Sequence, residues 1–207
     1  MEDYLTIDGE AEYGFEVHRS RFLCRMAHTE CLADGLEFVA DIKKRYNDAT
    51  HNCYAAIGSP LSNEQKFSDD GEPSGTAGQP ILNVLVKNRL YCVTAVVTRY
   101  FGGIKLGAGG LVSAYTKAVA ECVSQANIIQ NKWSAIYRAE LSYSEYKTAE
   151  KRLREEGVKI EDIEYGEGVK LRLAVPQSKS QTLNTYLSAL TQGGERHAFV
   201  KNEYVYY

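Results

Sequence analysis

The sequence contains no apolar run that approaches the roughly 18 residues needed to cross a membrane. Its first residues, MEDYLTIDGEAEYGFEV, show neither the basic nor the apolar region of a signal peptide. The five cysteines are odd in number and include no CxxC pair, so neither a disulfide framework nor a zinc site is indicated. These absences predict a cytoplasmic protein without membrane contact.

A strong excess of either charge is also missing. The chain carries 24 Lys and Arg against 27 Asp and Glu, a net charge of -3 at pH 7. This balance does not suggest a protein that coats nucleic acid, although it is compatible with a local basic patch. At 207 residues, 44% hydrophobic and 25% charged, the chain has an ordinary composition and enough length for one large domain or two small ones.

Established catalytic motifs are absent as well, since no GxSxG, HExxH or EF-hand spacing occurs. In THNCY, strand alternation would place His51 and Cys53 on one face. Same-face neighbours seldom point at each other as a nucleophile and its base must. We therefore interpret Cys53 as a buried thiol and His51 as a hydrogen-bonded side chain, and we assign no catalytic residue.

The order of predicted elements divides the chain into two domains. The first mixes strands and helices as an α+β sandwich, with a helix capped by Thr29, a short helix starting at Pro80, and a central strand in LYCVTAVVTRY. From Ile136 the order is βαββαβ, the ferredoxin-like arrangement. We place the domains at residues 1–131 and 135–207. The first has 12 basic against 16 acidic residues, net -4, and the remainder 12 against 11, net +1.

The glycine-rich stretch TRYFGGIKLGAGG lies between a predicted strand and a predicted helix. Backbone N–H groups at a helix start can hold an anion, and glycines let a phosphate approach closely. We predict an anion or RNA-backbone site formed by Arg99, Gly102, Gly103, Lys105 and Gly107. The alternative is that the glycines only allow tight packing, since Ala108 stands where a Walker motif requires lysine.

A second unusual stretch, KFSDDGEPSGTAGQP from Lys66 to Pro80, has a composition that neither helix nor strand favours. Its acids could hold a hard cation such as Mg²⁺ or accept hydrogen bonds from the backbone of the loop. We favour the second interpretation and predict no metal. Because a long loop in a compact domain is often functional, we predict that it lines the same site. The predicted lining residues are His51, Ser68, Asp69, Asp70, Glu72, Ser74 and Thr76.

Four stretches closely resemble bacterial members of the IMPACT family. They are SRF at residues 20–22, DATHNCYA from Asp48, FSDDGEPSGTAGQPIL from Phe67, and VVTRYFGGIKLGAGGLVSAY from Val96. The resemblance is strong in the first domain and rests on element order in the second. It implies a first domain like domain 2 of ribosomal protein S5 and a ferredoxin-like second domain. This pair resembles the last two domains of elongation factor G, the second of them its domain V.

The function that this resemblance implies is contact with RNA or the ribosome and modulation of translation. Eukaryotic members act through a regulator of an initiation-factor kinase by means of an additional RWD domain. This sequence has no RWD domain, so that partner is not expected. The alternative hypothesis is an enzyme or binder of a small phosphorylated or nucleotide ligand at the glycine-rich loop, because S5-like folds also occur in kinases. The family implies no catalytic residue and no cofactor.

Overall fold

A computed structural model describes residues 3–207 and divides into two compact units. One comprises Tyr4–Ile129, and the other comprises Gln130–Tyr207 with Asp3. Each unit combines a sheet with helices, which confirms the predicted α+β class with two domains. The predicted boundary near residues 131 to 135 falls inside one long strand, Ile128–Leu141. No helix within the described residues has the length and apolarity to span a bilayer.

The first unit is built on an antiparallel sheet with the strand order β2-β3-β6-β4-β5. In chain order its elements are β1 (Tyr4–Ile7), β2 (Glu10–Val17), β3 (Ser20–His28), α1 (Leu32–Arg45), β4 (His51–Ile57), β5 (Gln65–Ser68), α2 (Gly78–Lys87), β6 (Val93–Tyr100) and α3 (Gly107–Gln125).

Helices cover both faces of this sheet. On one face α2 and α3 bury Ile81 and Tyr115 against the central strands. On the other face α1 packs Val39 and Ile42 against Tyr54 of β4 and its neighbours. A strand covered on both faces reads as a nearly continuous apolar run. That is why β6 could be predicted from LYCVTAVVTRY.

The second unit has the predicted βαββαβ order. Its elements are β7 (Ile128–Leu141), α4 (Tyr143–Glu155), β8 (Lys159–Tyr165), β9 (Val169–Pro176), α5 (Ser180–Leu190) and β10 (His197–Tyr206). Its strands lie in the antiparallel order β10-β7-β9-β8, with buried Leu141, Leu153 and Leu187 in the core. Before α4, the Ser142 hydroxyl accepts a hydrogen bond from the Glu145 N–H, while the Glu145 carboxylate accepts one from the Ser142 N–H.

Three local predictions are wrong in ways that matter for the site. Residues Lys66 to Ser68 do form a strand, because β5 pairs with β4 at the sheet edge. Helix α2 begins at Gly78, two residues before Pro80, since a proline is tolerated throughout the first turn. Helix α3 begins at Gly107, so Gly107, Gly109 and Gly110, which were predicted to precede the helix, make its first turn.

The loop between β5 and α2, residues 69–77, is held together by the Asp69 carboxylate. Its two oxygens accept hydrogen bonds from the backbone N–H groups of Gly75, Ala77 and Gly78, at 2.8, 2.9 and 2.8 Å. Burial alone would raise the pKa of Asp69, but these three hydrogen bonds outweigh it, so the pKa lies below its usual value. The charged form of Asp69 therefore stabilises the fold of the loop and the start of α2.

We expect Asp69→Asn to lower the free energy of unfolding at pH 7 by about 1–2 kcal/mol, because the amide turns a donor toward backbone N–H groups. The pKa of Asp69 is lower in the folded state, so its contribution is present above the unfolded pKa and is lost as the pH falls through the folded pKa. Urea denaturation at pH 7, 5 and 3 should therefore show a smaller acid-induced loss in Asp69→Asn than in the wild type. Asp41→Asn, on the exposed face of α1, is the control. Equal pH dependence in Asp69→Asn and the wild type would contradict the assignment.

Candidate functional site

A cavity of about 380 Å³ opens where β4 begins, β6 ends and α3 begins. The polar and charged residues that line it are Thr50, His51, Glu72, Arg99 and Lys105. The rest of the lining is Pro73, Phe101, Leu106, Gly107, Ala108 and Leu111. The two segments singled out in the sequence, the loop after β5 and the glycine-rich stretch before α3, both contribute to this cavity.

A buried ion pair forms the inner wall of the cavity. The Arg99 Nη1 group donates a hydrogen bond of 2.6 Å to Glu72 Oε1, and their side chains are only 6% and 3% exposed. The guanidinium lies between two aromatic rings, 5.4 Å from the centroid of Phe22 and 5.5 Å from that of Phe101. Arg99 Nη2 also donates to Ser20 Oγ at 3.4 Å. Arg99 thus ties the loop to the sheet.

Helix α3 joins the same network through Tyr115. Its hydroxyl donates a hydrogen bond of 2.7 Å to Glu72 Oε1, and Cys53 Sγ lies 3.3 Å from that hydroxyl and 2.9 Å from the Asp69 carbonyl oxygen. Burial is the main reason that the pKa of Cys53 rises to about 12 and that the pKa of Tyr115 rises well above its usual value. Cys53 is therefore a thiol, and the structure places it as a hydrogen-bonded core residue.

His51 lies beside the ion pair with one ring nitrogen already engaged. Its Nδ1 lies 2.9 Å from the backbone carbonyl of Asp70, and a carbonyl can only accept, so Nδ1 carries the hydrogen. Its Nε2 lies 3.8 Å from Glu72 Oε2. His51 and Cys53 share a sheet face as predicted, yet they bond to different loop carbonyls, consistent with the interpretation that they are not a catalytic pair.

The glycines of the predicted site have different roles. A Cβ at Gly102 would lie 2.0 Å from the backbone of Arg19, so Gly102 permits close approach to the β2–β3 turn. Its N–H also donates to Ser20 Oγ at 3.2 Å. Gly103 and Gly107 have φ values of +85° and +71°, in the left-handed region that favours glycine, and a Cβ at either would meet no atom within 4 Å. Gly107 lines the cavity.

The predicted loop residues divide into two groups. His51 and Glu72 line the cavity together with Arg99 and Lys105. Of the others, Ser68, Asp69, Asp70 and Thr76 support the shape of the loop. Ser68 Oγ accepts from the Asp70 N–H, Asp69 binds the backbone as described, Thr76 Oγ1 donates to the Pro73 carbonyl, and Ser74 is exposed.

The three loop carboxylates do not converge. Asp69 binds backbone N–H groups, Asp70 binds Lys43 and the Asn52 N–H, and Glu72 binds Arg99 and Tyr115. Within residues 3–207, no group of three or more His, Cys, Asp or Glu side chains is placed to hold a metal ion. The carboxylates considered for Mg²⁺ thus each bind a different set of protein groups.

Sequence reasoning missed Thr50, Phe101 and Tyr115. Thr50 Oγ1 accepts from the Phe101 N–H at 3.0 Å and so connects the start of β4 to the glycine-rich stretch. A hydrogen-bonded role for Tyr115 could have been predicted from the sequence. Tyr115 lies on the apolar face of α3 with Leu111 and Ala118, and a buried tyrosine hydroxyl needs a hydrogen-bond partner. No local sequence pattern indicates that this partner is Glu72.

Comparison with known proteins identifies the family. The Impact N-terminal domain matches residues 18–123, and a domain of unknown function (DUF1949) matches residues 140–193. The chain is 38% identical to the IMPACT family member YvyE of Bacillus subtilis over 93% of this chain and 89% of that protein. It is 35% identical to the IMPACT family member YigZ of Escherichia coli over 93% of this chain and 96% of that protein. The chain belongs to the IMPACT family, which confirms the resemblance.

One solved structure supports the fold over both units. A crystal structure of a hypothetical protein with 33% sequence identity aligns with a TM-score of 0.64 and covers 98% of each chain. A shorter match, 46% identical over 53% of this chain, is to an IMPACT family member of Thermus thermophilus. The family and the two-domain fold are thus supported by sequence and by structure.

We expect Glu72→Ala to lower the free energy of unfolding by about 3–5 kcal/mol, because it leaves the buried Arg99 charge without a partner. Replacing both members, with Glu72→Gln and Arg99→Met together, should cost less than the two single changes added. Urea denaturation measures both. Glu155→Ala, which removes an exposed partner of Lys151, is the control and should change stability by less than about 0.5 kcal/mol. If the stability loss of the double variant equals the sum of the losses in the two single variants, the pairing of Glu72 with Arg99 would be contradicted.

Proposed function

We propose that this protein binds RNA, at the ribosome or in another structured form, and modulates translation through that contact. One observation carries the proposal: helix α3 begins at the cavity with an uncapped N-terminus. Among the described residues no side chain caps this end, and its first turn contains no acidic residue. The N–H groups of the first turn and the positive end of the helix dipole favour an anion there, and a backbone phosphate is the anion that RNA supplies.

The charges around the cavity support the same ligand. Lys105 lines the cavity and is exposed, so its ammonium is available to a ligand. Arg99 and Glu72 largely neutralise each other. The remaining field is that of one lysine and one helix N-terminus, which together favour a single phosphate.

Two further features favour a nucleic acid as the carrier of that phosphate. Arg99, which lines the cavity, is only 5% exposed, and its Nε is a buried donor that has no hydrogen-bond partner among residues 3–207. Phe101 and Ile104, on the stretch before α3, are 46% and 41% exposed. Exposed aromatic and apolar side chains next to a phosphate site can stack on unpaired bases.

The size of the cavity favours one alternative, a small phosphorylated or nucleotide ligand. A volume of about 380 Å³ lies in the range of small-ligand pockets. The phosphate position would be the same in that case. Competition between RNA and free nucleotides separates the two candidates.

We expect Gly109→Asp to reduce RNA binding about tenfold or more without lowering stability. An acid at the third position of α3 suits the helix dipole and replaces a helix glycine, but it repels a phosphate. A Cβ at Gly109 meets no atom within 4 Å, so the change needs no repacking.

Lys105→Ala should weaken binding about tenfold and reduce the salt slope by about one.

Fluorescence anisotropy with a structured RNA, and sedimentation with ribosomes, at two salt concentrations measure these effects. Lys87→Ala removes one positive charge at the other end of α2, away from the cavity, and is the matched control. Arg99→Ala is avoided because it breaks the buried pair. An absence of RNA and ribosome binding by the wild type would refute the proposal, as would binding that neither Gly109→Asp nor Lys105→Ala weakens.

A further inference from the structure

When His51 is neutral, two hydrogen-bond acceptors face each other in the cavity. His51 Nδ1 gives its hydrogen to the Asp70 carbonyl, so in the neutral imidazole Nε2 presents a lone pair. Its neighbour at 3.8 Å is Glu72 Oε2, and this distance is too long for a hydrogen bond. Both residues line the cavity.

Glu72 Oε2 is the unused half of a buried carboxylate. Arg99 and Tyr115 both donate to the other oxygen, Oε1. No N–H or O–H group of residues 3–207 donates a hydrogen bond to Oε2. The Glu72 side chain is only 3% exposed and belongs to the lining of the cavity, so a ligand in the cavity can donate to Oε2. The pair of acceptors therefore calls for a ligand that brings two donors.

We infer that this acceptor pair holds the vicinal diol of a terminal ribose, so that the cavity takes a ribonucleotide whose 2′ and 3′ hydroxyls are both free. One hydroxyl donates to Glu72 Oε2 and the other to His51 Nε2. The inference rests on the proposed function, because it places the phosphate of the same nucleotide at the start of α3. Such a diol occurs at the 3′ end of RNA and in free ribonucleotides, and internal RNA residues and DNA lack it.

Other occupants fit this position less well. A phosphate oxygen would meet two acceptors and be repelled. An ammonium group would share the cavity with Lys105 and the positive end of α3, while Glu72 already has Arg99 as its counterion. A neutral diol supplies two donors, adds no charge, and lies close to the phosphate in one small molecule. The cavity volume of about 380 Å³ is in the range for a ligand of this size.

The test uses the full chain and two labelled RNAs of one sequence, one with an ordinary 3′-terminal ribose and one ending in a 2′,3′-dideoxynucleotide. Fluorescence anisotropy at pH 8, where the neutral form of His51 is favoured, should show binding about tenfold or more weaker for the dideoxy RNA, since two acceptors in the cavity lose their donors. His51→Ala should reduce this ratio several-fold. His18→Asn removes a histidine from the β2–β3 turn, where asparagine tolerates the positive φ, and should leave the ratio unchanged.

Competition with AMP and with 2′,3′-dideoxy-AMP identifies the source of the diol. If RNA binds much more tightly than AMP, the ligand is an RNA 3′ end; if AMP binds as tightly, it is a free ribonucleotide. Either result supports the diol site provided that the dideoxy compound is the weaker one.

Three results would contradict the inference, and each has a different consequence. Equal affinity for the two RNAs, with both weakened by Lys105→Ala, would remove the diol site and leave the phosphate proposal standing. Failure of the wild type to bind either RNA or AMP would remove both. A full dideoxy effect that persists in His51→Ala would also contradict the assignment of the second hydroxyl.

Discussion

The Glu72 carboxylate and the Arg99 guanidinium lie 2.6 Å apart, and both side chains are buried. Burying two charges costs several kcal/mol each unless hydrogen bonds and close partners compensate. Compensation comes from Tyr115 on α3, Ser20 on β3 and the Phe22 and Phe101 rings. One ion pair thus connects the sheet, the loop after β5 and the long helix, and the cavity exists because these three parts meet around it.

The loop and the helix start depend on this pair for their position, but each also has its own local support. Asp69 shapes the loop through three backbone hydrogen bonds, and Gly102 lets the stretch before α3 lie against the β2–β3 turn. As a result the Glu72 Oε2 atom and the uncapped start of α3 line one cavity. In our proposal the start of α3 binds the phosphate of a ribonucleotide, and Glu72 and His51 accept hydrogen bonds from its ribose hydroxyls.

Much of this architecture could be predicted from the sequence, because patterns that depend on near neighbours are readable. Apolar β6 and the βαββαβ order gave the α+β class and two domains. The features that could not be predicted depend on contacts between residues far apart in the sequence. Strand β5 forms only because it pairs with the edge of β4. Glu72 lies 27 residues from Arg99 and 43 residues from Tyr115, its two hydrogen-bond partners. From the sequence we predicted Arg99 as a phosphate contact. The structure places Arg99 in a buried ion pair with Glu72. Our proposal therefore assigns the phosphate contact to Lys105 and the backbone at the start of α3.

In our proposal the backbone N–H groups at the start of α3 bind a phosphate of the RNA. Amide chemical shifts in a ¹⁵N-labelled sample, followed during titration with a short RNA and separately with inorganic phosphate, test it most directly. We expect both ligands to shift the amide resonances of Gly107, Ala108 and Gly109, and RNA to do so at the lower concentration. RNA binding that leaves these three resonances unmoved while shifting others would contradict it.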